Sequence, residues 1–313
     1  MASLSTLPRV AELYDPRRTF VVRSRDVEYR RDGAESWLAR VYEPQGDGPF
    51  PALLEVHGGA WNRGDRLQNA PMVEALAASG LVVASIDFRL GTHSPYPASI
   101  ADVNYATRWL KSHAGDFRAT AQGLGGLGFS SGGHMVVLSA MRPRDARYSA
   151  LPLDASPDVD ASLAYVMSGW GVLDPLARYL HAMRRGQPTP AAEQAAGPRL
   201  DLPLIVFHGD RDATVHPRNG EQVLAQAVGL SASAPDRRVT VSHGQVPGGH
   251  AYTRTLYHDA TAQVVGEHWL VHGAGHAWSG GSPAGSFTDP QGPDAAREML
   301  RFFREHPKRT APG

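Results

Sequence analysis

From residue 50 onward, short apolar runs alternate with segments whose apolar residues recur at helical spacing. The runs "PALLEVHGG" (51–59), "LVVASIDFRL" (81–90) and "LPLIVFHGD" (202–210) are typical of buried strands. Between the second and third runs, "PASIADVNYATRWLKSHAG" (97–115) places Ile100, Val103, Thr107 and Leu110 on one face of a helix. Because strands and helices alternate, we predict an α/β protein whose mostly parallel sheet has helices on both faces.

The expected sheet has eight strands within one domain that spans residues 1–313. Two early segments, "RTFVVRSRDVEYRR" (18–31) and "SWLARVYEP" (36–44), are interpreted as an antiparallel pair that precedes six further strands. The Ala/Pro-rich stretch "RRGQPTPAAEQAAGPRLD" follows the sixth strand, so residues 170–200 are interpreted as a small lid-like excursion over the site. The tail, residues 307–313, is expected to be loose.

Composition excludes several classes of function. The chain has 31 basic and 31 acidic residues and no run of like charge, which argues against a nucleic-acid or anionic-membrane partner. It has no cysteine, so disulfides, thiolate nucleophiles and Cys-zinc sites are excluded. No apolar stretch approaches the ~20 residues of a membrane span, and the first residues lack a signal-peptide pattern. We therefore expect a cytoplasmic protein, although a secreted form with a processed signal peptide stays open, as does the oligomeric state.

The stretch "GLGFSSGGHM" (125–134) contains one G-x-S-x-G pentapeptide, from Gly128 to Gly132. This motif forms a tight strand-to-helix turn that exposes the hydroxyl of its central serine, here Ser130. A frame centred on Ser131 fails, because Phe129 stands where a glycine is required. Ser130 is therefore the candidate nucleophile, and Ser131 would contribute its backbone N–H. The alternative is an ordinary glycine-rich turn.

A serine nucleophile needs hydrogen-bond donors for the oxyanion that forms when it attacks a carbonyl. "EVHGGAW" (55–61) ends a predicted strand with two glycines, whose neighbouring backbone N–H groups can turn inward. We expect the N–H groups of Gly59 and Ala60, with that of Ser131, to form the oxyanion hole. His57 is interpreted as a structural hydrogen-bonding residue, and a plain glycine turn is the alternative.

The carboxylate that would orient the base is sought in "VFHGDRDATVHP" (206–217). The pattern H-G-x-x-D-x-x-V selects Asp212, three residues after Gly209. Asp210 is interpreted as a turn residue whose side chain bonds nearby backbone. Asp174, after the preceding strand, is a third candidate for the acid.

The chain has 14 histidines, so the base is chosen by chain order, which in this kind of fold runs Ser, acid, His. His276 in "GAGHAWSGG" (273–281) follows the last predicted strand and is the candidate base. His268, His272 and His276 are spaced by four, which on a helix would suggest a metal site. The nearby glycines indicate a strand and loop instead, so no metal is expected. His272 and His250 stay candidates for lining a pocket.

These motifs resemble those of α/β-hydrolases. Over residues 20–180, "VHGGAW", "DFRL" and "GFSSGGH" resemble the hormone-sensitive-lipase and arylformamidase-like esterases. Over residues 182–306, "FHGDRDATVHPRNGEQVL" and "HWLVHGAGHAWSGGS" resemble the polyhydroxybutyrate depolymerase family. Because the resemblance changes near Leu180–Arg185, a fused or recombined origin is a hypothesis.

Both resemblances imply an α/β-hydrolase fold with Ser130 as nucleophile, Asp212 as acid and His276 as base. They imply no metal and no organic cofactor. Trp61, beside the oxyanion loop, and Trp278, beside the base, would be pocket walls.

The expected activity is hydrolysis of a small-molecule carboxylic ester through an acyl-enzyme. Short-to-medium acyl esters, aryl esters and hydroxyalkanoate oligomers are the candidate substrates. Amide or formamide hydrolysis with the same three residues is the closest alternative. A non-catalytic hydrolase-like protein that only binds a ligand is the alternative from another class.

Overall fold

A sheet of ten strands organises the part of the chain that this computed structural model describes, residues 19–171, 202–227, 238–283 and 287–306. In chain order the strands are β1 (Val22–Asp32), β2 (Glu35–Pro44), β3 (Phe50–Val56), β4 (Val82–Ile86), β5 (Ala119–Phe129), β6 (Tyr165–Gly169), β7 (Leu204–Gly209), β8 (Val239–Gln245), β9 (Ala251–His258) and β10 (Val264–Val271). Their spatial order is β1-β2-β4-β3-β5-β6-β7-β10-β9-β8. The central strands from β4 to β10 pair in parallel, and both ends of the sheet are antiparallel.

The expectation of eight strands misses the antiparallel extension formed by β8 and β9. Nearly every residue of β8 is exposed, and all of β9 is only half-buried. A strand that buries neither face strongly has no apolar run to reveal it. The other eight strands correspond to those expected, including the antiparallel pair β1–β2. A separate small sheet joins β11 (Trp278–Ser279) to β12 (Thr288–Asp289).

Helices cover both faces of the sheet. They are α1 (Ala70–Ala78), α2 (Ala98–Ser112), a 3-10 helix (Ala114–Phe117), α3 (Ser131–Met141), α4 (Arg218–Ala227) and α5 (Ala295–Glu305). One apolar cluster contains buried residues of α2, α3 and α4, among them Val103, Met135 and Val223. The second contains buried residues of α1 and α5, among them Val73 and Met299. The predicted face of α2 is indeed its buried side, since Ile100, Val103, Thr107 and Leu110 are all buried.

Two predictions concern segments outside the described residues. Most of the lid-like excursion, residues 172–200, and the tail, residues 307–313, belong to this group. The assignment of residues 1–313 to one domain stays a prediction. In the part of the chain that the structure describes, no helix has both the length and the apolar character needed to cross a membrane.

Candidate active site

The candidate catalytic residues follow neighbouring parallel strands. Ser130 follows β5, Asp212 lies three residues after β7, and His276 lies five residues after β10. Strands β5, β6, β7 and β10 are adjacent in the sheet, so their carboxyl ends share one edge. This edge is where ligands bind in open α/β sheets.

Ser130 occupies a strained turn between β5 and α3. Its φ of 48° and ψ of −120° lie in a region that side-chain-bearing residues rarely adopt. The flanking glycines are required by close backbone contacts. A β carbon on Gly128 would lie 2.4 Å from the Gly132 carbonyl oxygen, and one on Gly132 would lie 2.1 Å from the Val56 carbonyl oxygen. The local geometry is therefore that of a nucleophile elbow.

The expected oxyanion loop lies against this elbow. A β carbon built on Gly58 would be 3.2 Å from the Ser130 β carbon, so the loop backbone contacts the serine. Gly59, Ala60 and Trp61 have consecutive positive φ values of 113°, 52° and 63°. Such a run turns the chain sharply, and for Ala60 the left-handed conformation costs roughly 1–2 kcal/mol relative to the right-handed one.

Ser131 contributes more than the backbone N–H that the sequence suggested. Its Oγ accepts a hydrogen bond of 3.2 Å from the Trp61 backbone N–H. The Ser131 side chain is fully buried, so this bond is shielded from water. The elbow and the loop that carries Gly59 and Ala60 are thereby fastened together.

Asp212 and His276 form a hydrogen-bonded pair in which the carboxylate is buried and the imidazole is partly buried. The His276 Nδ1–H donates to Asp212 Oδ2 at 2.7 Å, and the exposed fractions of the two side chains are 15% and 0%. The other carboxylate oxygen, Oδ1, accepts from the backbone N–H groups of Thr214 (2.9 Å) and Val215 (2.8 Å). Because Nδ1 donates, Nε2 of the neutral ring is the nitrogen free to accept a proton.

Hydrogen bonds keep Asp212 ionised despite its burial. Burial by itself raises the pKa of this carboxyl. Hydrogen bonds from His208 and His276 lower it, with a further contribution from the Val215 N–H, and the resulting pKa is well below the ordinary aspartate value. Asp212 is therefore a carboxylate at neutral pH and can stabilise a positive charge on His276.

Trp170 follows the strand end that bonds Ser130 and contacts the candidate base. The Ser130 N–H donates to the Gly169 carbonyl at 3.1 Å, and the next residue, Trp170, packs edge-on against His276 with ring centres 5.7 Å apart. No hydrogen bond joins the Ser130 hydroxyl to His276 within the described residues. Catalytic hydrogen bonds are often long in ligand-free enzymes and tighten when substrate binds.

The alternative candidates have other partners. Asp210 Oδ2 accepts from His272 Nδ1 at 3.0 Å, and its Oδ1 accepts from the Gly273 N–H at 2.7 Å. His250 pairs with Asp289 at 2.9 Å. Asp174 lies outside the described residues.

Sequence reasoning missed a second imidazole on the acid. His208 Nε2 lies 3.3 Å from Asp212 Oδ2 and 2.9 Å from the Val215 carbonyl oxygen. The signal was available, since the H-G-x-x-D pattern that selects Asp212 begins with His208. The turn at the end of β7 brings the first and last of these five positions together.

An apolar cleft opens between α1, the β11–β12 sheet and α5. Its empty volume, including its open mouth, is about 600 Å³. Its walls include Met72, Ala75, Phe129, Trp170, Trp278 and Phe287. Trp278 is thus in the wall of this cleft. Trp61 is not among its lining residues and packs edge-on against His134, with ring centres 5.6 Å apart.

The histidines spaced by four do not share a helix. His268 lies within β10, and His272 and His276 follow that strand. Within the described ranges, no group of three or more histidine and carboxylate side chains is arranged to hold a metal ion.

Solved structures establish the fold. The ligand-free form of Thermogutta terrifontis esterase 2 is similar to this chain with a TM-score of 0.59 and 20% identity, over 90% of this chain and 91% of that one. The butyrate-bound form of the same enzyme gives a TM-score of 0.59 at 19% identity, over 90% of both chains. The chain therefore has the α/β-hydrolase fold.

Curated proteins that match this chain in sequence carry esterase names. The family described as BD-FAE matches residues 40–191. Esterase LipC of Mycobacterium tuberculosis (strain ATCC 25618 / H37Rv) is 30% identical over 221 residues, 65% of this chain and 53% of LipC. Esterase LipQ of the same strain is 26% identical over 271 residues, 80% of this chain and 62% of LipQ. The chain thus spans between half and two thirds of the length of these two relatives.

The matched region includes the oxyanion loop and Ser130 and ends before Asp212 and His276. These findings agree with the esterase resemblance of residues 20–180. The resemblance of residues 182–306 to polyhydroxybutyrate depolymerases stays a prediction.

Proposed function

We propose that this protein is a serine carboxylic ester hydrolase that acts through an acyl-enzyme on Ser130. The observation that carries the proposal is the partly buried 2.7 Å hydrogen bond between Asp212 and His276, at the sheet edge where the strained Ser130 lies. The esterase names of the curated relatives support ester hydrolysis as the reaction.

In the proposed mechanism, the Ser130 oxygen attacks the ester carbonyl while His276 Nε2 accepts the hydroxyl proton. The imidazolium that forms is stabilised by the Asp212 carboxylate, which also fixes the ring orientation. The tetrahedral intermediate collapses, the C–O bond to the alcohol breaks, and His276 returns the proton to the leaving oxygen. Water then attacks the acyl-enzyme with His276 again as base, which releases the acid and regenerates Ser130.

Backbone N–H groups would stabilise the negative charge that develops on the carbonyl oxygen. We assign this role to the N–H groups of Gly59, Ala60 and Ser131. The Trp61–Ser131 hydrogen bond supports the assignment, because it fixes the loop relative to the elbow before substrate arrives. Donors that need no rearrangement are worth the most in the transition state.

The apolar cleft supports short-to-medium acyl or aryl esters as substrates. It runs from Phe129, the residue before the nucleophile, to Phe287 at its exposed mouth. Gln68 lines the cleft, and its Nε2 lies 3.8 Å from a β carbon built on Gly58, in the loop beside Ser130. Thermogutta terrifontis esterase 2, a structural neighbour, has been solved with butyrate and with propionate bound. Hydroxyalkanoate oligomers are longer than such esters. Assaying a hydroxybutyrate oligomer beside the simple esters tests whether the enzyme accepts them.

The test combines turnover with covalent labelling. Ser130→Ala should lose ester hydrolysis by a factor of ~10⁵–10⁶ in kcat and lose labelling by a fluorophosphonate. The matched control is Ser36→Ala, an exposed serine on β2 whose hydroxyl bonds Glu28, and it should behave as wild type. A folded Ser130→Ala protein with wild-type turnover would overturn the proposal. So would a wild type that binds esters without hydrolysing them, which is the result expected of a non-catalytic ligand-binding protein.

Matched aryl ester and anilide substrates address the amide alternative. Amide hydrolysis needs His276 to protonate a poorer, nitrogen leaving group. A kcat/KM for the ester that exceeds that for the anilide supports the proposal, and the reverse order would reassign the enzyme to amide or formamide substrates.

A further inference from the structure

His208 presents an N–H to the carboxylate of the proposed acid. Its Nε2 is close to two acceptors, the Val215 carbonyl oxygen at 2.9 Å and Asp212 Oδ2 at 3.3 Å. Neither acceptor can donate, so Nε2 must carry the hydrogen. The His208 side chain has no exposed surface, so both bonds are shielded from water.

The other ring nitrogen of His208 indicates that the ring is neutral. Nδ1 is buried, and the described part of the chain supplies it with no hydrogen-bond partner. A charged imidazolium would leave an unpaired N–H buried there, at a substantial desolvation cost. His208 is therefore assigned the neutral form with its hydrogen on Nε2 and a lone pair on Nδ1.

His268 on β10 faces that lone pair. Its Nε2 is also buried without a partner among the described residues. A β carbon built on Gly220 of α4 would lie 3.1 Å from His208 Nδ1 and 3.1 Å from His268 Nε2. The two nitrogens therefore border one small space, which exists because residue 220 has no side chain. Burial lowers the pKa of His268 to about 3, so this ring is also neutral.

We propose that His208 is a positioning residue for Asp212 and that His268 fixes its tautomer across Gly220. His268 Nε2–H would donate to His208 Nδ1 through one water in the space that the two nitrogens border, and His208 Nε2–H would donate to Asp212. The carboxylate would then be held on Oδ1 by two backbone N–H groups and on Oδ2 by His208, besides His276. This inference rests on the proposed function, because it concerns the same acid.

The physical role follows from the shared oxygen. Asp212 Oδ2 accepts from both His208 and His276, so His208 fixes the direction in which the carboxylate faces the base. Without that donor, the carboxylate would be less restrained against rotation about its Cβ–Cγ bond. The orientation of the His276 ring would then be less fixed. Hydrogen bonds to charged groups are worth enough to change a rate by roughly 10-fold to 100-fold.

The kinetic test compares His208→Leu with His208→Gln. Leucine has no donor, and the glutamine amide can donate from nearly the position of Nε2. We expect kcat for a simple aryl ester to fall roughly 10-fold to 100-fold in His208→Leu, with KM changed by less than about threefold, and to recover most of the loss in His208→Gln. Active sites are counted by fluorophosphonate titration, so that unfolded molecules do not enter kcat. Equal kcat in wild type and in correctly folded His208→Leu would overturn the inference.

The tautomer test does not depend on activity. Nitrogen NMR of the ¹⁵N-histidine-labelled protein should show His208 protonated on Nε2 in wild type. Gly220→Ala inserts a methyl group at 3.1 Å from both nitrogens, and it should change the His208 signals and lower kcat. The matched control is Gly115→Ala, where no atom lies within 4 Å of the added carbon, and it should change neither. A wild-type His208 protonated on Nδ1 would overturn the inference.

The two proposals fail differently. If wild type hydrolyses no ester and takes no fluorophosphonate label, the proposed function is wrong. If wild type is active and labelled while the His208 variants keep its kcat, only the role of His208 is wrong.

Discussion

One loop after β7 carries two carboxylates, each bonded to a histidine from the end of β10. Asp212 bonds His276 at 2.7 Å, and Asp210, two residues earlier, bonds His272 at 3.0 Å. In the first pair the side chains are 0% and 15% exposed, and in the second 34% and 39% exposed. The same two side-chain types thus meet twice, once in the interior and once at the surface.

The difference lies in what surrounds each carboxylate. Asp212 accepts hydrogen bonds from two backbone N–H groups and two imidazoles. Asp210 accepts hydrogen bonds from one backbone N–H group and one imidazole. Water screens the exposed pair, and such pairs contribute little to stability. The buried pair interacts in a lower effective dielectric and is fixed before substrate binds. Chemistry of this kind therefore depends on the enclosure of the pair as much as on its residue types.

Replacing the histidine of each pair should give the largest difference in kcat between the two pairs. His276→Ala should reduce kcat for an aryl ester by a factor of ~10⁵–10⁶, the scale known for removal of a triad histidine in another enzyme. His272→Ala removes an exposed partner of Asp210 and should leave kcat within about threefold of wild type. Steady-state kinetics with active-site titration measures both.

Equal losses in the two histidine variants would mean that the surface pair also serves the reaction. A loss confined to His272→Ala would transfer the base to that residue.

Replacing the aspartate of each pair should give the next largest difference in kcat. Asp212→Asn keeps the shape and removes the charge that stabilises the imidazolium, so kcat should fall by ~10³–10⁴. Asp210→Asn should change kcat by less than about threefold, since its charge is screened by water. The readout is kcat for an aryl ester, with active sites counted by fluorophosphonate titration.

Wild-type turnover in Asp212→Asn together with a large loss in Asp210→Asn would exchange the two roles. Full activity in both variants would direct attention to Asp174.

The smallest expected difference is in the free energy of unfolding of the Asp212 and Asp210 variants. In both carboxyls burial raises the pKa, but hydrogen bonds, from His208 and His276 to Asp212 and from His272 to Asp210, bring it below the ordinary aspartate value. A carboxyl with a depressed pKa in the folded state adds stability above the unfolded pKa of about 4 and loses it as the pH falls through the folded value. Urea unfolding at pH 7 should therefore show Asp212→Asn destabilised by about 1–3 kcal/mol and Asp210→Asn by no more than about 1 kcal/mol.

The same titrations repeated at lower pH supply the control. The gap between wild type and Asp212→Asn should narrow once the pH falls below about 4. A gap that widens in acid would mean that the Asp212 carboxyl is not held in its ionised form.

The sequence predicted the parts of this arrangement that depend on local pattern. The G-x-S-x-G and H-G-x-x-D motifs gave Ser130 and Asp212 their places after β5 and β7, and chain order selected His276. Their catalytic roles stay predictions until the variants are measured, as do the cytoplasmic location and the lack of nucleic-acid or membrane partners.

Features that depend on contacts between distant segments could not be predicted. The Ser131 hydroxyl bonds the Trp61 backbone, 70 residues away in sequence, and His208 and His268 border one space because β7 and β10 are neighbours. Strands β8 and β9 were not predicted, because they are stabilised by pairing with the sheet and not by burial of an apolar face.

The interlocked turns at the nucleophile have a practical consequence for laboratory evolution. Gly132 presses against the Val56 carbonyl, and Ser131 holds the Trp61 backbone, so segments 56–61 and 128–132 constrain each other. Mutant libraries that randomise either segment alone would be filled with misassembled members. Under the proposed function, diversity introduced at Met72 and Phe287, on the cleft walls, should leave that contact intact and change substrate preference.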